Sequence, residues 1–371
     1  AYNVAVLTGH NVLRISLVGT GERAPSADEM STMKRMLRES IEAGSIGLSI
    51  GLLYCPGCFS RTEEITELAS VLTEYGAPMV THTRGMSEIY DEAVREVIGV
   101  AETNRIPLHL SHHFGGFQTG KLVDPTRLKT KLSFQLAKLL GETLTVKSQL
   151  KTMPSHSRAN QLIARARERG VEVGHDMLPW VCAFTSLLAI LPPRLYAGGI
   201  AGMMEQLRDP EGRRAVIEEQ RRAVPKWPTW ENGWWTDNLF DGSFRLGGFR
   251  LERNRPYESM RLRDIAKERG TDLYDTAFDL IVEEEGRLFF VYGIDDQTIS
   301  DWIGALAISD PNCAIMTDIV GVDHPNPSPV SYGAFTKVLG QFARDEQRMT
   351  QEEAVRKMTS LPAKQMQLPG R

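Results

Sequence analysis

Three short apolar runs each end in a residue that can bind a metal. Ala77-Pro78-Met79-Val80-Thr81 leads into His82, Ile106-Pro107-Leu108-His109-Leu110-Ser111 into His112, and Cys313-Ala314-Ile315-Met316-Thr317 into Asp318. Each run reads as a buried strand with one polar group at its C-terminal tip. In a parallel α/β barrel the C-terminal strand tips are where chemistry is placed. Two imidazoles and a carboxylate at one rim are the makings of a catalytic zinc site.

Two consecutive strand–helix units deliver one imidazole each, which favours metal ligation by His82 and His112 over a structural role for either. Asp318 closes an apolar strand, where a carboxylate has little packing reason to be. It could ligate the metal, act as general base, or cap the segment that follows. His113 is expected to point to the other side of its strand from His112, behind the site or toward substrate. His109 is off the His112 register and reads as packing behind the sheet. Arg84 could bind a substrate carboxylate or pair with a glutamate. His10 follows the first apolar run, with only its position to recommend it. Asp323, His324 and the proline-rich residues 325–329 form a loop that would overhang the rim.

The elements that would hold these residues alternate through the first two-thirds of the chain. Val4-Ala5-Val6-Leu7 opens as a strand. Ser26-Ala27-Asp28-Glu29 is a capping box ahead of a stripe of Met30, Met33, Leu37 and Ile41, which Gly44 stops. Residues 45–53 read as a short strand, and Ile65, Leu68, Ala69 and Leu72 as the next helix. The His82 strand follows, then a helix marked by Ile89, Ala93, Val94, Val97 and Ala101, then the His112 strand. Nearly continuous apolar strands between helices predict a parallel sheet covered on both faces. Residues 118–154 show no clean strand, 159–169 make a basic helix, and Val171-Glu172-Val173 starts a strand toward His175 and Asp176. Residues 198–248, with Trp227, Trp230, Trp234 and Trp235, look irregular and are expected to form a lid or insertion. Regular structure returns with helices at 262–269 and 273–285, a strand at 288–292, a helix at 296–307 and the Asp318 strand. Thr350-Gln351-Glu352-Glu353 is a second capping box, opening a helix through Met358. About six strands can be counted, two short of an eight-stranded barrel.

The 371 residues, 42% hydrophobic and 24% charged, fit a globular α/β protein. A formal charge of −4 offers no basic surface for nucleic acid. No apolar run reaches the roughly 20 residues of a membrane span. Four cysteines are too few for a disulfide scaffold and fit a reducing, cytoplasmic setting. Cys55-Pro56-Gly57-Cys58 is a C-x-x-C whose Pro-Gly reads foremost as a turn. The chain opens Ala1-Tyr2-Asn3 without Met and closes just after a helical pattern, so both ends are expected to be cut from something longer. Nothing sets an oligomeric state.

The motifs, taken in order, resemble the N-acyl-D-amino-acid deacylases (D-aminoacylases) of the amidohydrolase superfamily. They are Gly47-Leu48-Ser49-Ile50-Gly51-Leu52 with Tyr54 and Pro56-Gly57, Thr81-His82-Thr83-Arg84, Leu110-Ser111-His112-His113, Thr317-Asp318, Ser331-Tyr332-Gly333-Ala334-Phe335 and Met358-Thr359-Ser360-Leu361-Pro362-Ala363. The resemblance implies a zinc-dependent (β/α)8 barrel, here lacking its first strands and the terminal β-sandwich, that hydrolyses the amide of N-acyl D-amino acids. It places zinc ligands on His82 and His112. It places on Asp318 the family's aspartate that assists the metal water, the catalytic proton shuttle. Asp318 is also expected as a metal ligand, and Tyr54, Arg84 and His113 as substrate-binding residues. The family's first-strand His-x-His and its metal-binding cysteine have no counterpart here. A lysine of the family is Phe114, and its His-Pro-Arg is Ser328-Pro329-Val330. The Tyr-Pro-Tyr that follows the aspartate of the next strand is Leu178-Pro179-Trp180.

The first expectation is therefore one amidohydrolase domain, residues 1–371, acting on a small N-acyl amino acid, with the isolated piece inactive. Two others stand beside it. One is a cyclic-amide hydrolase of the hydantoinase or dihydroorotase kind, although residues 45–53 lack the lysine those enzymes use. The other is a non-catalytic binding domain on the same fold.

Overall fold

The structure is a computed structural model that describes residues 4–86, 89–113, 143–180, 182–222, 244–293, 307–319 and 329–368, with Trp227, Gly242, Ser300, Asp301, Gly304 and Ala305. In chain order the described strands are β1 (Thr8–Gly9), β2 (Leu48–Gly51), β3 (Met79–His82), β4 (Leu108–Leu110), β5 (Val173–Met177), β6 (Cys182–Ser186), β7 (Arg245–Gly247), β8 (Phe289–Gly293) and β9 (Cys313–Ile315). Six of them form one parallel sheet in the order β1-β2-β3-β4-β5-β9. The strands are added strictly in sequence, without the reversal of a doubly wound sheet.

The crossover helices are α1 (His10–Leu17), α2 (Ala27–Glu42), α3 (Thr62–Thr73), α4 (Tyr90–Asn104) and α5 (Thr143–Glu168). The Ser26 capping box is present in full: the Ser26 hydroxyl accepts from Glu29 N, and the Glu29 carboxylate accepts from Ser26 N. Gly44 takes the left-handed conformation (φ 111°) that stops α2.

Register assigns the two faces of the sheet. Gly51 pairs with His82, Val80 with His109, His109 with Gly174, and Asp176 with Ala314. Side chains alternate along a strand, so Ser49, Gly51, Val80, His82, His109, Gly174, Asp176 and Ala314 share one face. The opposite face presents Leu48, Ile50, Met79, Leu108, Leu110 and Val173, buried against Met33, Leu37, Leu68, Val94 and Val97 of the helices. The crossover helices pack on that face. The other face carries His109, Gly174 and Ala314 buried, with Gln365 of the helix Ser360–Gln365 against Gly174, and Ser49, Gly51, His82 and Asp176 half-buried toward the strand ends.

β2 runs so close to β3 that a Cβ on Gly47 would lie 2.2 Å from Pro78 O. Gly47→Ala must push two strands apart at their N-terminal ends, opposite the rim. It should cost at least about 1–3 kcal/mol in chemical denaturation, and unchanged stability would contradict this register.

Strands β6, β8 and β7 form a separate antiparallel sheet, in that order. It shares an apolar cluster with helices Gly199–Arg208, Pro210–Arg222, Leu262–Arg269 and Leu273–Glu283 through residues such as Leu195, Met203, Leu207, Val216, Phe278 and Phe290. The inserted layer therefore runs from about Cys182 to Gly293, wider than the expected 198–248. The described part of 198–248 is regular. Gly199 and Gly202 inside one helix, and the dense charge of the next, hid their apolar positions. The strand expected at 288–292 belongs to this sheet and not to the parallel one. Trp230, Trp234, Trp235 and part of the helix expected at 296–307 lie outside the described residues. No helix among the described residues is long and apolar enough to cross a membrane.

Candidate functional site

His82 closes β3 on the polar face. Its Nδ1 lies 3.0 Å from the carbonyl of Thr83. A carbonyl can only accept, so Nδ1 carries the proton and the Nε2 lone pair is left free. Burial, and then the neighbouring His112, pull the His82 pKa down to about 3, so the ring is neutral at ordinary pH.

His112 lies two residues beyond β4. Ser111 N still donates to Thr81 O at 2.9 Å, continuing the ladder, and His112 then turns left-handed (φ 41°). This turn sets its ring beside that of His82, with centroids 4.5 Å apart and planes at 72°. Tyr54, from the loop after β2, puts its ring 4.9 Å from His82 on another side. Burial raises the pKa of its hydroxyl, and Thr185 of β6 draws it partly back. Asp318 follows β9, also left-handed (φ 48°). Burial raises its pKa; His112 draws it down and the like charge of Asp176 pushes it up.

Asp176 is the residue that sequence reasoning left without a role. Its Oδ1 accepts from His112 N at 2.6 Å and its Oδ2 is 2.9 Å from His109 Nε2. One carboxylate thus fixes the backbone turn that aims His112. His109 is corrected with it: its register partner is Val80, two residues before His82, so it faces the site and not the helices. The reading failed because strand alternation was carried from His112 back to His109 through a left-handed residue, where it does not hold. The available signal was Asp176 itself, a carboxylate in a strand otherwise buried.

Two substrate-side expectations are also corrected. Arg84 is buried and committed: its guanidinium donates to Glu96 at 3.0 and 3.2 Å, to Cys58 O at 2.9 Å and to Ser60 O at 2.7 Å. Pairing with a glutamate is what the structure shows, and Trp227 lies 5.9 Å from the guanidinium. His113 is fully buried in the helix layer. It bonds to Tyr90 Oη at 2.5 Å and to Asn160 Oδ1 at 2.8 Å, beside His175. Burial lowers its pKa to about 3. His10 is held by Glu64 between α1 and α3. Asp323, His324 and Phe114 lie outside the described residues.

The donor chemistry of His82 and His112 fits zinc: both are at strand ends, adjacent, and His82 is neutral with one nitrogen free. Among the described residues no group of three His, Cys, Asp or Glu side chains converges closely enough to hold a metal ion. The structure thus brings two of the three expected ligands together, with Asp318 in the same neighbourhood but not on a common point with them.

No family model matches the chain. Curated relatives do. An N-acyl-D-glutamate deacylase of Alcaligenes xylosoxydans xylosoxydans is 27% identical over 369 residues, covering 100% of this chain and 57% of that protein. A D-aminoacylase of the same organism is 26% identical, covering 100% and 58%. The chain therefore spans under three-fifths of these relatives' length. Among solved structures, an N-acyl-D-glutamate deacylase of Bordetella bronchiseptica, complexed with zinc and a phosphonate inhibitor, superposes with a TM-score of 0.67 at 23% identity, covering 100% of this chain and 59% of that one. A D-aminoacylase gives 0.65 at 24%, with the same coverage. Sequence and backbone agree: the chain is similar over its full length to the N-acyl-D-amino-acid deacylases and carries the fold of the D-aminoacylase amidohydrolases.

Proposed function

We propose that the protein hydrolyses the amide bond of N-acyl amino acids, of the D series as its relatives' names indicate, with zinc held by His82 and His112. The observation that carries this is the pair of abutting imidazoles, 4.5 Å apart at the ends of neighbouring parallel strands. In this reading the six-stranded wall is part of an eight-stranded barrel, and residues 1–371 form one domain interrupted by the inserted layer. A bound zinc supplies Lewis-acid polarisation of the amide carbonyl and acidification of a water.

The residues of this chain do the rest. Asp318 takes the proton from the attacking water and delivers it to the departing nitrogen. Burial raises its pKa, which suits a group that must both accept and release a proton. Tyr54 walls the site beside His82. Arg84 and His113 support the rim from behind. A catalytic zinc needs about three protein ligands plus water, so the two imidazoles are part of a shell, and the whole protein rather than residues 1–371 alone is the unit that turns over.

Asp318→Asn in the full-length protein tests the proton step. Turnover should fall about 10²–10⁴-fold while the fold and the zinc content persist. Turnover equal to that of the unmodified protein would remove Asp318 from the mechanism.

A further inference from the structure

The Cys55-Pro56-Gly57-Cys58 segment takes no part in the chemistry above, yet it follows directly on Tyr54 at the rim. Both cysteines are free, Cys55 half-buried and Cys58 buried. The backbone folds back on itself here: Cys58 N donates to Tyr54 O at 2.9 Å and Phe59 N to Pro56 O at 3.1 Å. A chain that turns this tightly brings residues three apart to within about 7 Å, close to the span of a disulfide. The turn is also held in place. A Cβ on Gly57 would lie 2.3 Å from Asn11 Oδ1 and 2.5 Å from Gly51 O, so the segment has no room to relax outward. The neighbouring Cys55 and burial push the ionisation of the Cys58 thiol up. Cys55 Sγ lies 3.6 Å from Thr20 O on the more open side.

We propose that Cys55 and Cys58 form a reversible dithiol–disulfide pair, closed by a small-molecule disulfide such as oxidised glutathione. Cys55, the reachable thiol, attacks as its thiolate. One sulfur of the oxidant bonds to Cys55 Sγ, the oxidant's sulfur–sulfur bond breaks, and one thiol leaves with the Cys55 proton. Cys58 then attacks Cys55 Sγ, and the second thiol leaves with the Cys58 proton. Two electrons have passed from the cysteines to the oxidant, and no other reactant is needed. The closed pair bears on the site through Tyr54, whose carbonyl holds Cys58 N and whose ring lies against His82. The proposal does not depend on which amide the protein cleaves.

The experiment is peptide mapping of the full-length protein equilibrated with reduced and oxidised glutathione in varied ratio. The expected product is a Cys55–Cys58 linked peptide lighter by about 2 Da, reverting on addition of reduced glutathione. Cys58→Ser should trap glutathione on Cys55, and Cys55→Ser should leave Cys58 unmodified. Three results would each overturn the proposal. The wild-type protein could stop at a mixed disulfide. Both thiols could remain alkylatable in fully oxidised glutathione. Cys58 could be modified in Cys55→Ser as fast as Cys55 is in the wild type.

Discussion

Asp176→Ala should weaken zinc binding about 10- to 100-fold, the usual effect of removing a group that orients a metal ligand, and should destabilise the fold as well. Asp176 touches no expected substrate position; it acts through His112. Its loss leaves His112 N without an acceptor at a residue held at φ 41°. It also leaves His109, fully buried, with both nitrogens bare, because His109 Nδ1 already has no partner. Each buried polar group left unpaired costs about 1–3 kcal/mol. Asp176→Asn should be milder. Its carbonyl oxygen can still accept from His112 N, and its amide can donate to His109 Nε2 if that ring moves its proton to Nδ1. Zinc titration with thermal unfolding of the two variants separates these effects. Alanine behaving like the wild type, or asparagine as severely impaired as alanine, would contradict the positioning role.

Glu64→Ala should be the most damaging single change to stability, at about 3–5 kcal/mol, the cost of stripping one partner from a buried ion pair. Glu64 accepts from Arg14 Nη1 at 2.6 Å, from Ser60 Oγ at 3.0 Å, and lies 3.0 Å from His10 Nε2. Arg14 is fully buried, so removing the carboxylate strands a positive charge between α1 and α3. Burial alone would raise the Glu64 pKa, but the bond from His10 and the charge of Arg14 outweigh it and leave it lowered. A folded-state value below the unfolded one adds stability that is fully present above the unfolded glutamate value of about 4.3. That stability is lost as pH falls through the folded value. Denaturant unfolding of wild type and Glu64→Gln should therefore show a gap at neutral pH that narrows in acid. A gap unchanged well below pH 4 would contradict the assignment.

Much of the parallel sheet could be read in the sequence because its strands are short apolar runs with a polar terminus, and its helices are amphipathic, one of them opened by a capping box. His82 and His112 were legible for the same reason. Residues whose roles depend on a partner far along the chain were harder. Arg84 finds Glu96 on the next helix, and His113 finds Asn160 and Tyr90 in the helix layer. From sequence each could equally have faced solvent or substrate. Asp176 and His109 were missed because their pairing depends on β4 and β5 lying side by side, with the α5 crossover and residues of no clear pattern between them in the chain. The inserted layer was underestimated because its helices are charge-dense and glycine-containing, while its sheet is assembled from strands more than 40 residues apart.

The most direct test of zinc-dependent deacylation at His82 and His112 is a zinc titration of the metal-depleted full-length protein, following hydrolysis of an N-acyl-D-amino acid. Activity is expected to be absent without metal and to rise to saturation as zinc is added. In His82→Ala and His112→Ala it should stay near background at zinc levels that saturate the wild type. Full hydrolysis by the metal-free protein, or a wild-type zinc response in either variant, would contradict the account.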